Sequence, residues 1–242
     1  MRILVTGSSG YIGERLVAEL RKRTSFDVTE FDIVDNCFKD VVNCCFNYND
    51  YDLVYHLAAL SRVNICHKDK VSAFQTNVLG TENICSVFKD KVIFFDTYLD
   101  PRTHYGYTKA LGRICAQRYG STSIRVCNIF GYDGPGVIDE IVRCVGRKET
   151  FRLQEGHCQL SFMHVDDLIR TVLGISPQST VVQTCGTNVC LQEIVDMFQV
   201  PHALQHIKST LICQPEYELF DVTVLPEYCV FNYLQDQLNV RK

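Results

Sequence analysis

Short apolar runs and longer amphipathic runs alternate along the first half of the chain. Ile3-Leu4-Val5 predicts a first strand, and Leu16-Val17-Ala18-Glu19-Leu20 predicts the helix after it. Val28-Thr29-Glu30-Phe31-Asp32 predicts a second strand, Asp40-Val41-Val42 a short third one, and Asp52-Leu53-Val54-Tyr55-His56-Leu57 a fourth. A helical stretch follows from Lys68 to Phe88. Val92-Ile93-Phe94-Phe95 is apolar throughout, as in a strand buried on both faces. Tyr105 to Tyr119 reads as helix and Ser123-Ile124-Arg125-Val126-Cys127 as strand. Such alternation predicts an α/β fold of the Rossmann type, a doubly wound parallel sheet with helices on both faces.

After Gly131 the rhythm breaks. Gly131, Gly134, Pro135 and Gly136 interrupt it and shorter mixed elements follow. Val181 to Thr184 reads as a strand returning to the main sheet. The tail from Pro201 to Lys242 is irregular, with one helix around Val230 to Leu238. The expected organisation is a main domain over residues 1–130, with a return strand near 180–185, and a small interleaved lobe over 131–242.

The junction between the first strand and first helix carries the clearest chemistry. Thr6-Gly7-Ser8-Ser9-Gly10-Tyr11-Ile12-Gly13 sets three glycines at three-residue spacing. In this position Gly7 permits a tight turn, Gly10 lets backbone approach a pyrophosphate, and Gly13 lets the helix pack close to the strand. The helix N-terminus offers N–H groups and the positive end of a dipole to phosphates. Asp32, at the end of the second strand, is suited to accept hydrogen bonds from an adenine-ribose 2′-OH and to repel a 2′-phosphate. The expected cofactor is therefore NAD(H), with NADP(H) left open.

Composition narrows the setting. The chain has 242 residues, 46% hydrophobic and 21% charged, which is ordinary for a globular protein. A net charge of −4 gives no footprint for nucleic acid. No apolar run reaches the length of a membrane span, and the opening MRILVTG reads as a strand rather than a signal peptide. Thirteen Cys are present without a C-x-x-C pair. Cys44 and Cys45 are adjacent, Cys185 and Cys190 are five apart, and Cys115, Cys127 and Cys144 sit in apolar runs. They read as small hydrophobes in a reducing compartment, without a metal site. A cytoplasmic location is expected.

Tyr105-Gly106-Tyr107-Thr108-Lys109 places Tyr105 and Lys109 four residues apart, on one face of a helix. That helix follows the strand ending at Phe95-Asp96-Thr97, and the C-terminal ends of such strands line the ligand crevice. A free Tyr titrates near pH 10 and is a poor acid–base group at neutral pH. A Lys ammonium one turn away, joined by an oxidised nicotinamide, favours the phenolate. Lowering the phenol by about three units asks for about 4 kcal/mol, which two cations in a dry cleft can supply. Tyr105 can then exchange a proton with a carbonyl or alcohol oxygen while hydride moves. Thr97 is placed to hydrogen-bond that oxygen, and Lys109 to hold ribose hydroxyls as well.

With these motifs the chain resembles the extended short-chain dehydrogenase/reductase family, which includes sugar epimerases, dehydratases and ketoreductases. The resemblance runs over residues 1 to 195. It is carried by the glycine loop, Asp32, Asp40-Val41, His56-Leu57-Ala58-Ala59, Asn77-Val78-Leu79-Gly80-Thr81-Glu82-Asn83, Thr97, Tyr105-x-x-x-Lys109, Asn128-Ile129-Phe130-Gly131 and Phe162-Met163-His164-Val165-Asp166-Asp167. It implies cofactor contacts from Gly7, Ser9, Gly10, Tyr11, Ile12, Gly13 and Asp32, with Asp40 and Val41 flanking the adenine. Leu57, Ala58 and Ala59 would line the phosphate and ribose side, and Asn77 would brace the motif. Ser61, Tyr98 and Asn128 would meet the substrate, implied to be a nucleotide-diphosphate sugar. A homodimer through the helices near 68–88 and 104–119 is also implied.

Departures from the family pattern shape the expected activity. Tyr98-Leu99 follows Thr97 where dehydratases carry Asp-Glu, which argues against dehydration. Only eight residues separate Thr97 from Tyr105, where relatives carry a longer loop over the sugar, so an open or reshaped pocket is expected. Asp96 stands where Ser is usual, and Leu160 where an Arg often meets the nucleotide phosphates. Arg102, Arg143 and Arg147 are candidate substitutes for that Arg. The favoured reading is a reductase of a 4-keto nucleotide sugar. A 4-epimerase with tightly bound NAD is the runner-up. A non-catalytic NAD-binding protein and a reductase of a non-sugar carbonyl are further alternatives.

Overall fold

The computed structural model describes residues 1–37, 40–154, 159–178, 180–184, 186–205 and 229–239. They form two compact units: those within 1–126 and 173–183, and those within 127–172, 184, 186–205 and 229–239.

The first unit is a six-stranded parallel sheet with helices between its strands. It comprises β1 (Arg2–Thr6), α1 (Tyr11–Arg21), β2 (Asp27–Phe31), β3 (Leu53–His56), α2 (Val63–Lys68), α3 (Lys70–Phe74), a π-helical segment (Gln75–Gly80), α4 (Thr81–Phe88), β4 (Val92–Thr97), α5 (His104–Arg118) and β5 (Thr122–Val126). The last strand, here β9 (Val181–Gln183), returns from beyond the second unit, as the apolar run there predicts. The sheet order is β2-β1-β3-β4-β5-β9. The order reverses between β1 and β3, and in sheets of this kind ligands bind beyond the carboxyl ends of the strands at that point.

Two expectations are corrected. Asp40-Val41-Val42 is a turn, not a strand. The Asp40 carboxylate accepts hydrogen bonds from the Val42 N–H and Asn43 Nδ2, both at 3.0 Å, so the side chain captures the backbone in a local turn. Val41 is nonetheless buried, packed with Leu4, Phe31, Val54, Ile84 and Phe88. The helical stretch expected over 68–88 begins earlier, at Val63, and breaks at Asp69, whose carboxylate caps α3 by accepting from the Ser72 N–H at 3.0 Å.

The second unit contains β6 (Asn128–Phe130), α6 (Val137–Arg147), β7 (Phe151–Gln154), β8 (Gln159–His164), α7 (Val165–Gly174, whose last residues belong to the first unit), β10 (Thr187–Cys190), α8 (Leu191–Met197), β11 (His202–Gln205) and α9 (Val230–Asn239). Strands β10, β8 and β6 form one small sheet, and β11 and β7 another. Strand β11 lies in the tail expected to be irregular. Residues 206–228 of that tail, and Cys185, lie outside the described residues. The core of this unit gathers Phe130, Ile138, Ile141, Phe162, Ile194, Val230 and Leu234. Tyr233 of α9 donates to the Asp139 carboxylate of α6 at 2.7 Å.

Among the described residues, no helix is long and apolar enough to cross a membrane, and no group of three or more His, Cys, Asp or Glu can hold a metal ion.

Candidate active site

The glycine loop is forced by close packing. Gly7 has φ +71°, and a Cβ there would lie 2.6 Å from the Ala58 backbone nitrogen. A Cβ on Gly13 would lie 2.2 Å from the Gly7 carbonyl oxygen. Strand β1, the segment after β3 and helix α1 can therefore meet only at glycine. Leu57, Ala58 and Ala59 form that segment. The Leu57 N–H donates to the Thr6 carbonyl at 3.1 Å, which holds the segment against the end of β1. Gly10 caps α1 without a side-chain hydrogen bond, so Tyr11, Ile12 and Gly13 begin the helix with its positive dipole end open to an anion. This cradle fits a dinucleotide pyrophosphate.

Asp32 follows the last residue of β2. Its carboxylate accepts from the Ser9 N–H and the Val34 N–H, each at 3.0 Å. The Ser9 hydroxyl donates to Asp35 at 3.0 Å. Two carboxylates thus face the glycine loop, and reading the sequence identifies only the first. The strand-end position of Asp32 follows from hydrophobic periodicity. Asp35 sits in the turn after it, where no periodic signal marks it.

Asn77 lies in the π-helical segment and is fully buried. Its Oδ1 accepts from the Leu60 N–H at 2.7 Å, and its Nδ2 donates to the Leu60 carbonyl at 3.1 Å and to the Thr108 hydroxyl at 3.0 Å. It ties the chain after β3 to helix α5. Ser61, next to Leu60, is exposed.

Helix α5 begins with Thr103 as its cap, whose hydroxyl accepts from the Gly106 N–H at 3.0 Å. The short connection from Thr97 to Tyr105 is folded by Asp100. Its carboxylate accepts from the Arg102 N–H at 2.7 Å, and its carbonyl accepts from the Thr103 hydroxyl at 2.8 Å. The connection closes so tightly on the helix that a Cβ on Gly106 would lie 2.2 Å from the Asp100 carbonyl oxygen. Gly106, inside the Tyr-x-x-x-Lys motif, is thus what allows so short a loop. Neither composition nor motif spacing marks that role.

Tyr105 and Lys109 occupy one face of α5, directed at β4. Lys109 is 3% exposed and its Nζ lies 4.2 Å from the centre of the Phe94 ring, a cation–π contact. Burial pushes its ammonium down to about 8, while Asp96 and the Cys85 thiol push it up. Burial pushes the Tyr105 phenol up, and Asp96 and Cys66 push it further in the same direction, which corrects the expectation that Lys109 lowers it. Thr97, the last residue of β4, is half-buried, and its Oγ1 accepts from the Leu99 N–H at 3.2 Å. Tyr98 turns towards β9 and its hydroxyl donates to Gln183 Oε1 at 3.1 Å. Asn128 lies in the second unit, where its Nδ2 donates to the Ser161 carbonyl at 3.1 Å. Of the three candidate Arg residues, Arg102 pairs with Asp100, Arg143 pairs with Glu140 and Arg147 is exposed. Leu160 packs against the core of the second unit.

A parallel sheet with a glycine cradle at its reversal point, and a Tyr–Lys pair on the helix after β4, define an NAD(P)-dependent oxidoreductase of the extended short-chain dehydrogenase/reductase type. The chain belongs to the NAD dependent epimerase/dehydratase family, whose model matches residues 3–183. It is 26% identical to a UDP-N-acetyl-alpha-D-glucosaminuronate decarboxylase of Bacillus cytotoxicus, over 96% of this chain and 92% of the relative. It is 25% identical to a GDP-6-deoxy-D-talose 4-dehydrogenase of Aggregatibacter actinomycetemcomitans, over 91% of this chain and 84% of the relative. Its fold matches that of the UDP-glucuronic acid 4-epimerase of Bacillus cereus, solved with UDP-glucuronic acid and NAD. The TM-score is 0.81 at 18% identity, covering 100% of this chain and 99% of that one.

Proposed function

We propose that the protein reduces the 4-keto group of a nucleotide-diphosphate sugar with NADH. The observation that carries this reading is the placement of Tyr105 and Lys109 one helical turn apart on α5, the helix that follows Thr97 at the end of β4. Burial keeps the Tyr105 phenol protonated at neutral pH, and Lys109, held near 8, keeps most of its charge there. Carbonyl reduction draws on the protonated phenol, and the cofactor complex must offset this upward shift for the proton to be given readily.

NADH, when bound by the glycine loop and Asp32, supplies the hydride that goes to C4. Tyr105 delivers its proton to the carbonyl oxygen, so the carbonyl becomes a secondary alcohol. Thr97 Oγ1 donates a hydrogen bond to the same oxygen as negative charge gathers there. Lys109 stabilises the phenolate left on Tyr105 and is a candidate partner for the ribose hydroxyls. Ser61, Tyr98 and Asn128 are our candidates for sugar contacts, and Asp40 and Val41 for flanking the adenine. Through Asn128 we assign the second unit a part in substrate binding.

The relatives' names support the substrate class, since each acts on a nucleotide-linked sugar and one is a 4-dehydrogenase. The 4-epimerase reading keeps one specific support. Asp32 and Asp35 beside Ser9 favour NAD, the cofactor an epimerase retains through its cycle. We also infer a homodimer, supported by exposed Val71, Phe74 and Leu79 on α3 and the π-helical segment, and exposed Tyr107 and Ile114 on α5. Half of the ten described cysteines are buried and none of the ten forms a disulfide, which supports a reducing, cytoplasmic setting.

The test mixes the protein with NADH and a 4-keto-6-deoxy sugar nucleotide and follows the nicotinamide absorbance. Oxidation of NADH with formation of the 4-hydroxy sugar is expected. No loss of absorbance refutes the reductase reading. Interconversion of 4-epimers without added cofactor installs the epimerase in its place.

A further inference from the structure

Asp96 is a buried carboxylate one residue before Thr97, and the proposed reaction does not use it. Its side chain is 2% exposed. Strand alternation sends the side chains of Phe94 and Asp96 to the same face of β4. Helix α5 answers with two cations at i and i+4: Lys109 rests on the Phe94 ring, and Arg113 Nε lies 2.8 Å from Asp96 Oδ2. On the neighbouring strand, Arg125 stands directly across from Asp96 in the β4–β5 register, with its Nε at 3.6 Å from the same oxygen. A carboxylate within ion-pair reach of two arginines thus lies on the face of β4 that Lys109 meets.

We propose that Asp96 is a positioning residue for the Tyr105–Lys109 pair: its carboxylate, anchored by Arg113 and Arg125, sets the pH window in which that pair works. The proposal rests on Tyr105 and Lys109 being the proton-transfer pair of the proposed reaction. Burial dominates and raises the Asp96 carboxyl above its ordinary value, while Lys109, a hydrogen bond from the Thr97 backbone, Arg113 and Arg125 push it down. Three cations around it favour its ionised form. Its negative charge raises both the phenol and the ammonium. It therefore moves both edges of the working window upward together. The other groups acting on the pair are few. Cys66 from α2 acts on Tyr105, Cys85 from α4 acts on Lys109, and His56 of β3, which feels the Lys109 charge, is pushed far down and stays neutral. A Ser at position 96 has no charge to exert this effect.

The deciding measurement needs no substrate. Lys109 in the cofactor-free protein is titrated by the carbon chemical shift of its side chain, assigned by its disappearance in Lys109→Met. The wild-type midpoint is expected near 8. Asp96→Asn keeps the shape, removes the charge and is expected to lower that midpoint by about one pH unit. Asp96→Ser removes the same charge with a smaller side chain and is expected to lower it by a similar amount. This second variant decides the matter if Asp96→Asn does not fold. In turnover, both limbs of the pH profile of kcat should move down together in Asp96→Asn. Unchanged Lys109 midpoints, or lower turnover with unmoved limbs, overturn the proposal and leave Asp96 with only a packing role. Failure to turn over any sugar nucleotide refutes the proposed function instead, and the Lys109 titration still decides the role of Asp96.

Discussion

Asn77 and Thr108 meet through a hydrogen bond of 3.0 Å, and this contact joins the two halves of the candidate site. Asn77 also grips Leu60 by both its N–H and its carbonyl, just beyond the Leu57-Ala58-Ala59 segment that packs against the glycine loop. Thr108 precedes Lys109 and donates from its hydroxyl to the Tyr105 carbonyl at 2.9 Å. One buried amide therefore couples the cofactor-side loop to the helix that carries the proton-transfer pair. Asn77→Leu leaves the half-buried Leu60 N–H unpaired, at a cost of about 1–3 kcal/mol, and its carbonyl with only the Cys66 thiol at 3.1 Å. The urea midpoint should fall, and NAD affinity should fall with it. A variant with unchanged unfolding and unchanged NAD affinity would show that the bridge is not needed.

The glycines of the loop differ in what they tolerate. Gly13→Ala puts a methyl into the Gly7 carbonyl oxygen at 2.2 Å, a backbone atom that cannot swing away. Gly7→Ala adds a strained left-handed backbone to a similar clash. Gly10→Ala meets only the Gly7 oxygen at 3.2 Å. Gly7→Ala and Gly13→Ala should lower the melting temperature and abolish the thermal shift on adding NAD, while Gly10→Ala should fold normally. Normal NAD binding by Gly13→Ala would contradict the packing account.

The parallel sheet was legible because its strands are apolar runs separated by amphipathic ones, and Val92 to Phe95 is the clearest case. Asp40-Val41-Val42 misled because its apolar residues do go inside, while the Asp40 side chain takes the backbone hydrogen bonds that a strand partner would have taken. Periodicity reports burial and cannot see that competition. The glycine loop and Tyr105–Lys109 were legible because their spacing is itself the geometry. Asp35, Gly106 and the pairing of Asp96 were not, because each depends on contacts between segments that no local pattern encodes.

Removing the Tyr105 hydroxyl separates chemistry from binding. Tyr105→Phe keeps the half-buried ring and loses only the exchangeable proton. Turnover should fall about 10²–10⁴-fold, the usual worth of a positioned acid, while the Kd for NAD, measured by calorimetry, stays within about twofold, or 0.4 kcal/mol. Full activity in this variant would remove Tyr105 from the mechanism.

His56 predicts a pH-dependent stability. It is fully buried, with Nδ1 at 2.7 Å from the Thr6 hydroxyl and Nε2 at 3.1 Å from the Thr81 hydroxyl. Thr81 donates its own proton to the Asn77 carbonyl at 2.8 Å, so it accepts from Nε2–H and the ring is the neutral Nε2 tautomer. Burial, with Lys109 adding to it, pushes the ring down to about 3 from an ordinary value of 6.5. The folded state thus resists protonation that the unfolded state accepts. The stabilising contribution is present above pH 6.5 and is lost progressively as pH falls towards 3, by an amount on the order of several kcal/mol. Urea unfolding at neutral pH and near pH 4.5 should show a steeper loss for the wild type than for His56→Asn. Equal losses would rule out His56 as the source.

The choice between NADH and NADPH should turn on two carboxylates rather than one. Asp32 accepts from the Ser9 and Val34 N–H groups, and Asp35 takes the Ser9 hydroxyl, so both charges are fixed at the glycine loop. A 2′-phosphate brought to the Asp32 carboxylate meets like charge at both, and their repulsion adds. Asp32→Ser alone leaves Asp35 beside Ser9, so the gain in NADPH use should be partial. Asp32→Ser with Asp35→Asn removes both charges and leaves the Ser9 and Val34 N–H groups and the Ser9 hydroxyl as donors for a phosphate. The ratio of kcat/KM for NADPH over NADH should rise about tenfold, or 1.4 kcal/mol, beyond the single variant. Isothermal titration of both cofactors should show the same order of preference without any substrate. If the double variant prefers NADH as strongly as the wild type, discrimination lies elsewhere in the loop and Asp35 has no part in it.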